Sequence, residues 1–428
     1  MIHNQIKNYF HMKRNLNSSF SRLITSQNEK LKNLISYAYE NVPYYRELFD
    51  RNHISPQSIE NADSLRKIPI TTKKKLQSLP LEKKTSKKVD LSSCIRITTS
   101  GSTGVPLEIF YLKNDYSVLN MNWIRPLLVY GVKPWQKRLE ITGPHNISDK
   151  KKWYQYFRLW RSKGISIFNH PSEILSVLDS YKPDVLYGYS GSLKLLAEYS
   201  LKNKITTINP KYIFGVSDLL DRESRDSIVD AFHKEVIDLY GAAESGCIAW
   251  ECHQCKGFHI NMDTVIVECI NKGKSAGPGK LGKIVITNLY SYAMPFIRYD
   301  LDDIGLLSSR DTSCGIELPL MDLIEGRSDA FIVLPSGELL SPMFFFGIMK
   351  PIKNILNWRV CQKNSNEIIV YLVPDKEFNS DMELLIRKRI KDNIKENIRI
   401  RIKLVKELQP DKTGKVRSVI SSADHNWY

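Results

Sequence analysis

The chain has 428 residues, of which 42% are hydrophobic and 10% aromatic, and its formal net charge is +16 at neutral pH. This length is enough for two or three domains with buried cores, and the composition excludes a globally disordered chain. The charge suits contact with polyanions, but no zinc-finger, homeodomain or RNA-binding motif accompanies it, so we expect no nucleic-acid partner.

The N-terminal segment has none of the features of an exported or membrane-inserted chain. It lacks an apolar region followed by a small-residue cleavage site. No run in the sequence approaches the roughly 20 apolar residues that cross a bilayer. We therefore expect a cytoplasmic protein without a transmembrane segment.

Helical and strand-like patterns follow in chain order through residues 1–240. Residues 1–90 are helix-rich, because Leu31, Ile35 and Ala38 recur at helical spacing before Pro43 ends that helix. Strands are predicted at residues 184–189, 213–216 and 235–240, with helices at 193–201 and 222–233 between them. This alternation predicts a mainly parallel sheet covered by helices, with ligands bound at the strand ends.

The pattern changes after residue 262. Short β runs at residues 265–270 and 283–288 predict an antiparallel subdomain or small barrel over about 262–325. A compact α+β unit follows Arg327, with a strand at 367–373, a helix at 382–398 and a strand at 398–404. We therefore predict an α/β fold with a large domain over residues 1–327 and a small α+β domain over 328–428.

Residues 97–106, ITTSGSTGVP, form a turn that is dense in hydrogen-bond donors. Its two glycines let the backbone approach a ligand closely, and its N–H groups and hydroxyls can cradle phosphate oxygens. The turn is not a Walker A loop, because no Gly-Lys-Ser/Thr sequence closes it. An ordinary surface turn has a similar composition, so the functional interpretation depends on the other motifs.

Six further motifs flank this turn in the sequence. Two precede it, at residues 39–46 (YENVPYYR) and 68–73 (IPITTK). Four follow it, at residues 240–246 (YGAAESG), 298–305 (RYDLDDIG), 325–329 (EGRSD) and 413–417 (TGKVR). Together with the 97–106 turn they resemble the adenylate-forming superfamily of acyl-CoA synthetases, adenylation domains and luciferases. Within it the chain is most similar to the phenylacetate–CoA ligase branch and its capsule-biosynthesis relatives. The resemblance spans nearly the whole chain.

The resemblance implies an AMP-forming ligase. Such an enzyme uses ATP and Mg²⁺ to activate a carboxylic acid as acyl-AMP and then transfers the acyl group to a thiol, here expected to be CoA. It also implies that the domain over 328–428 is mobile. Two alternatives remain open: a ligase that forms an amide on an amine or amino sugar in polysaccharide biosynthesis, and a non-catalytic scaffold with the same fold.

The resemblance also assigns nucleotide contacts to the turns. The phosphate cradle comprises Thr99, Ser100, Gly101, Ser102, Thr103 and Gly104. Val105 follows it where many relatives have Lys, so the loop lacks one cation for the β- and γ-phosphates. Tyr240 flanks the adenine, the backbone from Gly241 and Ala242 to Ala243 forms its floor, and Ser217 lies in a turn on the adenine side.

Two acidic residues and one arginine complete this nucleotide site by resemblance. Glu244 coordinates Mg²⁺, and Asp303 accepts the ribose hydroxyls. Asp300 and Asp302 are nearby alternatives for the ribose contact. Arg327 adds a second contact to the ribose or phosphate.

The last assigned residues belong to the small domain. Lys415 bridges the substrate carboxylate and the α-phosphate, with Lys412 as a neighbouring alternative. Asp329 occupies the hinge position. In each case an ordinary charged turn is the competing interpretation.

The cysteines do not suggest a disulfide framework, but they include half of a structural zinc motif. Cys252 and Cys255 form a Cys-x-x-Cys pair, and Cys314 is a third candidate ligand. Asp311 and Glu317 occupy the positions where a second pair would place another Cys. The sequence leaves His253 and His259 open as the fourth ligand, and two free thiols in a turn remain an equal alternative.

Aromatic side chains are candidates for the walls of an acid pocket. They are Trp123, Tyr130, Tyr187, Tyr189 and His259. Aromatic residues fill protein cores as often as they line pockets, so this is a weaker prediction than those for the nucleotide contacts.

Overall fold

The structure is a computed structural model that describes residues 2–99, 106–144, 147, 153–217, 220–310, 312–325, 331–340, 342–349, 352, 354–394, 396–409 and 418–423. The helices are α1 (Ile2–Leu16), α2 (Phe20–Asn41), α3 (Pro43–Arg51), α4 (Lys73–Ser78), α5 (Leu81–Lys84), α6 (Lys113–Val129), α7 (Pro171–Tyr181), α8 (Ser190–Lys202), α9 (Arg222–Phe232), α10 (Pro342–Met349) and α11 (Ser380–Asn393). None of these described helices combines the length and apolar character needed to span a bilayer.

Strands make up the rest of the regular structure. They are β1 (Ile95–Thr98), β2 (Glu108–Tyr111), β3 (Arg138–Thr142), β4 (Ser162–Ser166), β5 (Val185–Tyr189), β6 (Tyr212–Val216), β7 (Val236–Ala242), β8 (Gly246–Glu251), β9 (Phe258–Ile260), β10 (Val265–Asn271), β11 (Lys274–Ser275), β12 (Gly282–Asn288), β13 (Tyr299–Leu307), β14 (Leu320–Glu325), β15 (Ile332–Val333), β16 (Leu339–Leu340), β17 (Ile355–Asn364), β18 (Glu367–Pro374), β19 (Arg399–Leu404) and β20 (Val419–Ser421).

One sheet of 12 strands organises the large part of the chain, in the order β11-β10-β12-β13-β14-β9-β8-β7-β6-β5-β3-β4. Strands β4, β3, β5, β6 and β7 are mutually parallel. The apolar faces of α7, α8 and α9 cover this half and share its core with Leu139, Leu186 and Ile213. Burial under the helices explains why β5 and β6 are nearly continuous apolar runs. The predicted parallel, covered sheet is confirmed.

The strands over residues 265–325 are antiparallel, as predicted, but they do not form a separate barrel. Strands β10, β12, β13 and β14 pair in sequence, and β14 then pairs with β9. The antiparallel strands therefore extend the same sheet as the parallel ones. The N-terminal helices pack on this half, since Leu31, Leu34 and Ile35 share one core with Ile284 and Ile286.

The C-terminal part has a four-stranded sheet, β19-β18-β17-β20, with its own core. The prediction of a helix as far as residue 398 is wrong at its end. Helix α11 stops at Asn393, and Ile394 is extended with φ −96° and ψ 105°. The chain must leave the helix there because β19 begins at Arg399 and runs parallel to β18. Ile394 and Ile398 are still buried, so their apolar spacing reflects the core rather than the helix.

Candidate functional site

The turn between β7 and β8 carries the predicted motif over residues 240–246, at the carboxyl end of the parallel strands. Gly241 tolerates no side chain: a Cβ would lie 2.5 Å from Cη2 of Trp123 and 2.5 Å from the carbonyl oxygen of Gly246. The backbone of this turn is therefore packed directly against an indole ring. Ala242 follows as the last residue of β7.

Two neighbouring segments hold Glu244 in this turn, one through its backbone and one through its side chain. Glu244 is 7% exposed, and its backbone carbonyl accepts a hydrogen bond of 2.8 Å from the side-chain amide of Asn288. The Tyr299 hydroxyl donates to its carboxylate at 3.1 Å. Burial, with the nearby Glu244 carboxylate, raises the pKa of Tyr299, so the phenol stays a donor. A carboxylate fixed in this way is a suitable hard oxygen ligand for Mg²⁺.

The β1–β2 hairpin contacts the turn that carries Glu244. At the base of the hairpin, the Thr99 N–H donates to the Leu107 carbonyl at 3.0 Å, and the Thr99 hydroxyl accepts from the Leu107 N–H at 2.9 Å. Farther along β2, the Tyr111 hydroxyl donates to the Ala243 carbonyl at 2.9 Å. The predicted cradle residues Ser100, Gly101, Ser102, Thr103 and Gly104 lie outside the described residues, but both ends of their loop are fixed beside the Glu244 turn.

Asp303 differs from its two acidic neighbours in its contacts. The Tyr240 hydroxyl donates to the Asp303 carboxylate at 2.8 Å. Asp300 and Asp302 both accept from the Lys283 ammonium, at 3.1 and 3.0 Å. Asp300 and Asp302, the two alternatives for the ribose contact, therefore form ion pairs with Lys283. Asp303 instead contacts Tyr240, the tyrosine of the predicted adenine site.

The remaining predicted nucleotide residues are only partly described. Ser217 follows β6 with φ +76°, a left-handed conformation that costs a non-glycine residue energy and is often found at functional turns. It lies at the same edge of the sheet as Tyr240, because β6 and β7 are parallel neighbours. Arg327, Asp329 and Lys415 lie outside the described residues.

The three predicted cysteine ligands come together. Strands β8 and β9 are joined by the turn that contains Cys252 and Cys255, and Cys314 lies in the turn between β13 and β14. The Sγ atoms of these three cysteines lie within 4.8 Å of one another. Backbone N–H groups of Gln254 and Cys255 point to the Cys252 sulfur at 3.4 and 3.2 Å.

The structure distinguishes the two histidines that the sequence left open. The Nε2 atom of His259 is 3.2 Å from the Cys314 sulfur, and its Nδ1 is 2.9 Å from the Leu318 carbonyl. Donation from Nδ1 to a carbonyl leaves Nε2 as the lone-pair nitrogen that a metal needs. The ring of His253 instead contacts Tyr130, with 5.8 Å between centroids. Three sulfurs and one oriented imidazole nitrogen match the ligand set of a closed, structural zinc site.

The surroundings of the cysteine cluster shift the pKa values of two of its thiols in opposite directions. A hydrogen bond from the Ser313 hydroxyl lowers the pKa of the Cys255 thiol to about 7, which favours the thiolate that binds metals. Burial raises the pKa of Cys314 to about 11. Glu317 does not join the cluster, because its carboxylate accepts from the Phe20 N–H at 2.5 Å. Asp311 lies outside the described residues.

The predicted pocket aromatics differ in what they contact. His259 is fully buried against Trp250 and belongs to the cysteine cluster rather than to a substrate pocket. Tyr130 packs on Phe214 and donates to the Glu251 carbonyl at 3.0 Å. Trp123, in contact with the Gly241 backbone, is the predicted aromatic that the structure places against the nucleotide turn.

The sequence did not reveal the residues that position Glu244. Tyr299 belongs to the recognised motif over 298–305, but nothing in that motif indicates a partner 55 residues away. Asn288, the last residue of β12, is an ordinary strand-ending amide in the sequence. Both residues reach Glu244 only because the sheet brings together strands that are distant in sequence.

The chain is similar to several known proteins. A family model described as the CapK C-terminal domain matches residues 332–422. Phenylacetate-coenzyme A ligase of Thermus thermophilus is 24% identical over 93% of this chain and 96% of its own length. Protein CapK of Staphylococcus aureus is 24% identical over 94% and 89%. In fold, the chain resembles 2-hydroxyisobutyryl-CoA ligase in complex with 2-HIB-AMP, with a TM-score of 0.77 at 17% identity over 96% of this chain and 92% of the other.

Proposed function

We propose that the chain is an AMP-forming ligase that activates a carboxylic acid and transfers it to CoA, because it resembles the phenylacetate–CoA ligase-like branch of the adenylate-forming superfamily. The observation that carries this proposal is the meeting of three segments at one edge of the sheet. Tyr111 joins the β1–β2 hairpin to the Glu244 turn, and Tyr240 joins the same turn to Asp303.

In the first half-reaction an oxygen of the substrate carboxylate attacks the α-phosphorus of ATP. The bond from that phosphorus to the bridging oxygen breaks, and pyrophosphate leaves with the electron pair. Asp303 accepts the ribose hydroxyls. Glu244 would hold Mg²⁺, which would neutralise charge on the phosphates. Lys415 stabilises the charge that develops between the carboxylate and the α-phosphate.

In the second half-reaction the thiolate of CoA attacks the acyl carbon, and AMP leaves with the electrons of the acyl–oxygen bond. The name of the Thermus relative and the ligase neighbour solved with 2-HIB-AMP and CoA support CoA as the acceptor. We place the two steps in two orientations of the domain over residues 328–428, hinged at Asp329. Domain closures of this kind turn on a few residues at the ends of elements.

The cysteine cluster has a structural role in this proposal. Cys252, Cys255, Cys314 and His259 hold Zn²⁺ with no position left for substrate. Strand β8 separates this cluster from Glu244 by six residues, or about 20 Å of extended chain. The metal would therefore fix two hairpin turns rather than take part in the chemistry.

The proposed reaction is tested by measuring ATP-dependent pyrophosphate release with a panel of carboxylic acids, with and without CoA. Replacing Glu244 with Gln keeps the size of the side chain but removes the charge, so turnover across a Mg²⁺ titration should fall. Glu223, exposed on α9, provides the matched Glu→Gln control. If no acid in the panel releases pyrophosphate, the chain is not a ligase for those acids. Unchanged Mg²⁺ dependence in Glu244→Gln would remove Glu244 from the site.

An amine is the second candidate acceptor. A protein named fumarate--(S)-2,3-diaminopropanoate ligase is 24% identical over 145 residues, which cover 32% of this chain. An amino sugar in polysaccharide biosynthesis is the amine acceptor that the sequence left open, and the similarity to protein CapK is compatible with it. Consumption of preformed acyl-AMP by amino sugars, but not by CoA, would select this acceptor.

A further inference from the structure

The segment over residues 131–170 concentrates positive charge and aromatic side chains. It contains nine Lys and Arg against two acidic residues, so its net charge of +7 is nearly half of the chain's +16. The same segment contains three Trp, two Tyr and two Phe. Mixed basic and aromatic residues are the composition of protein surfaces that lie on anionic membranes.

Three of these aromatic side chains project from the protein surface. Trp135, Tyr156 and Phe157 are 61%, 73% and 71% exposed, and we refer to them as the aromatic patch. Large apolar side chains that are grouped and this exposed usually mark an interaction surface.

Hydrogen bonds to backbone carbonyls link the segments that carry the aromatic patch. The guanidinium of Arg161 donates to the Trp135 carbonyl at 3.0 Å, and the Trp160 N–H donates to the Pro134 carbonyl at 2.5 Å. The Gln155 side chain donates to the Trp160 carbonyl at 3.3 Å. The turn that carries Tyr156 and Phe157 is thus fastened to the loop that carries Trp135.

Positive charge surrounds the aromatic patch. Lys133 and Arg158 are exposed beside it, and within the described ranges neither side chain forms an ion pair with a carboxylate. These two side chains therefore offer cations at the rim of an apolar centre, which complements lipid phosphates above an acyl layer.

The position of the patch leaves the proposed ligase site open. Trp135 precedes β3, and Trp160 and Arg161 precede β4, so the patch lies at the amino ends of the parallel strands. The Glu244 turn follows β7 at the carboxyl ends. A membrane bound at the patch would therefore lie at the opposite ends of the parallel strands from the proposed nucleotide site.

We propose that the aromatic patch, with Lys133 and Arg158, binds the surface of an anionic membrane. The rings of Trp135, Tyr156 and Phe157 enter the headgroup layer while the cations contact lipid phosphates. A soluble polyanion would engage the charges but would give the exposed phenyl ring of Phe157 no favourable contact. The proposal is independent of the ligase reaction.

The test is co-sedimentation of the full chain with vesicles of phosphatidylcholine alone or with about one third phosphatidylglycerol. We expect binding to the anionic vesicles that weakens at high salt. The double substitution Tyr156→Ser and Phe157→Ser should lower the partition coefficient at least about ten-fold, because it removes the apolar insertion. Lys133→Gln with Arg158→Gln should lower it about 30-fold, since each cation near the surface contributes about five-fold.

Two matched controls separate this site from general properties of the chain. Phe168, 72% exposed beyond the other end of β4, provides the Phe→Ser control. Lys272 and Lys274, exposed at the opposite edge of the sheet, provide the Lys→Gln control. Controls should bind as the wild type does, and every variant should keep its thermal unfolding temperature.

Three outcomes would overturn the proposal. They are no binding to anionic vesicles, equal loss in patch and control variants, and binding to RNA or dextran sulfate that exceeds vesicle binding and survives Tyr156→Ser with Phe157→Ser. Self-association in sedimentation that the patch variants abolish would instead assign the surface to a second copy of the chain.

Discussion

Replacing Asp303 with Asn tests which of three neighbouring aspartates binds the ribose. The substitution leaves an amide oxygen that can still accept from the Tyr240 hydroxyl, now 2.8 Å away, so the local structure should persist. It removes the charge and one of the two acceptors for the ribose hydroxyls. A hydrogen bond to a charged group is worth about 1.5–3 kcal/mol, which corresponds to a rise of about 10- to 150-fold in KM for ATP.

Asp302→Asn is the matched control. Asp302 has 35% of its side chain exposed and shares Lys283 with Asp300, so its loss should cost no more than about 1 kcal/mol of stability. Its KM for ATP should match the wild type. The assay is initial pyrophosphate release against ATP concentration, with thermal unfolding of each variant. Wild-type KM in Asp303→Asn, or a larger rise in Asp302→Asn, would refute the assignment.

Three other predictions follow from the structure and the motifs. Purified protein should contain about one zinc per chain, and metal analysis should find it lost in His259→Asn but kept in His253→Asn; zinc-free wild type would reject the site. Lys415→Ala should lower kcat for adenylate formation on the order of 10²-fold with KM for ATP nearly unchanged, and wild-type kcat would exclude Lys415. Burial raises the pKa of Asp115 to about 7, so the folded protein holds a proton that the unfolded chain releases above about pH 4. Stability should therefore fall by up to about 1.4 kcal/mol per unit as pH rises through this interval, and thermal unfolding across pH should show a smaller fall in Asp115→Asn.

Local patterns were sufficient for most of the elements. The strands predicted at 184–189, 213–216 and 235–240 appear as Val185–Tyr189, Tyr212–Val216 and Val236–Ala242. Apolar runs bounded by helices identify buried parallel strands because both faces are covered. Periodicity did not locate the end of the helix predicted over residues 382–398. The four-residue apolar spacing continues through residues 394–398, which follow the end of the helix at Asn393.

The continuity of the large sheet could not be inferred from the chain. Strand β9 pairs with β14 about 60 residues later, and this pairing joins the antiparallel strands to the parallel ones. Each antiparallel strand by itself is equally consistent with a small barrel. The choice depends on which edges meet, and an isolated strand carries no information about that.

The sequence by itself indicated the family resemblance, the order of elements and the residue types expected to carry the chemistry, because motifs and periodicity are local properties. Only the tertiary structure shows the contacts that separate Asp303 from Asp300 and Asp302, and His259 from His253. Residues two apart on a strand share a face, so Asp300 and Asp302 both meet Lys283 while Asp303 meets Tyr240. Pairings between strands distant in sequence decide which face of β13 meets the nucleotide turn. The residues near each aspartate in the sequence do not indicate that face.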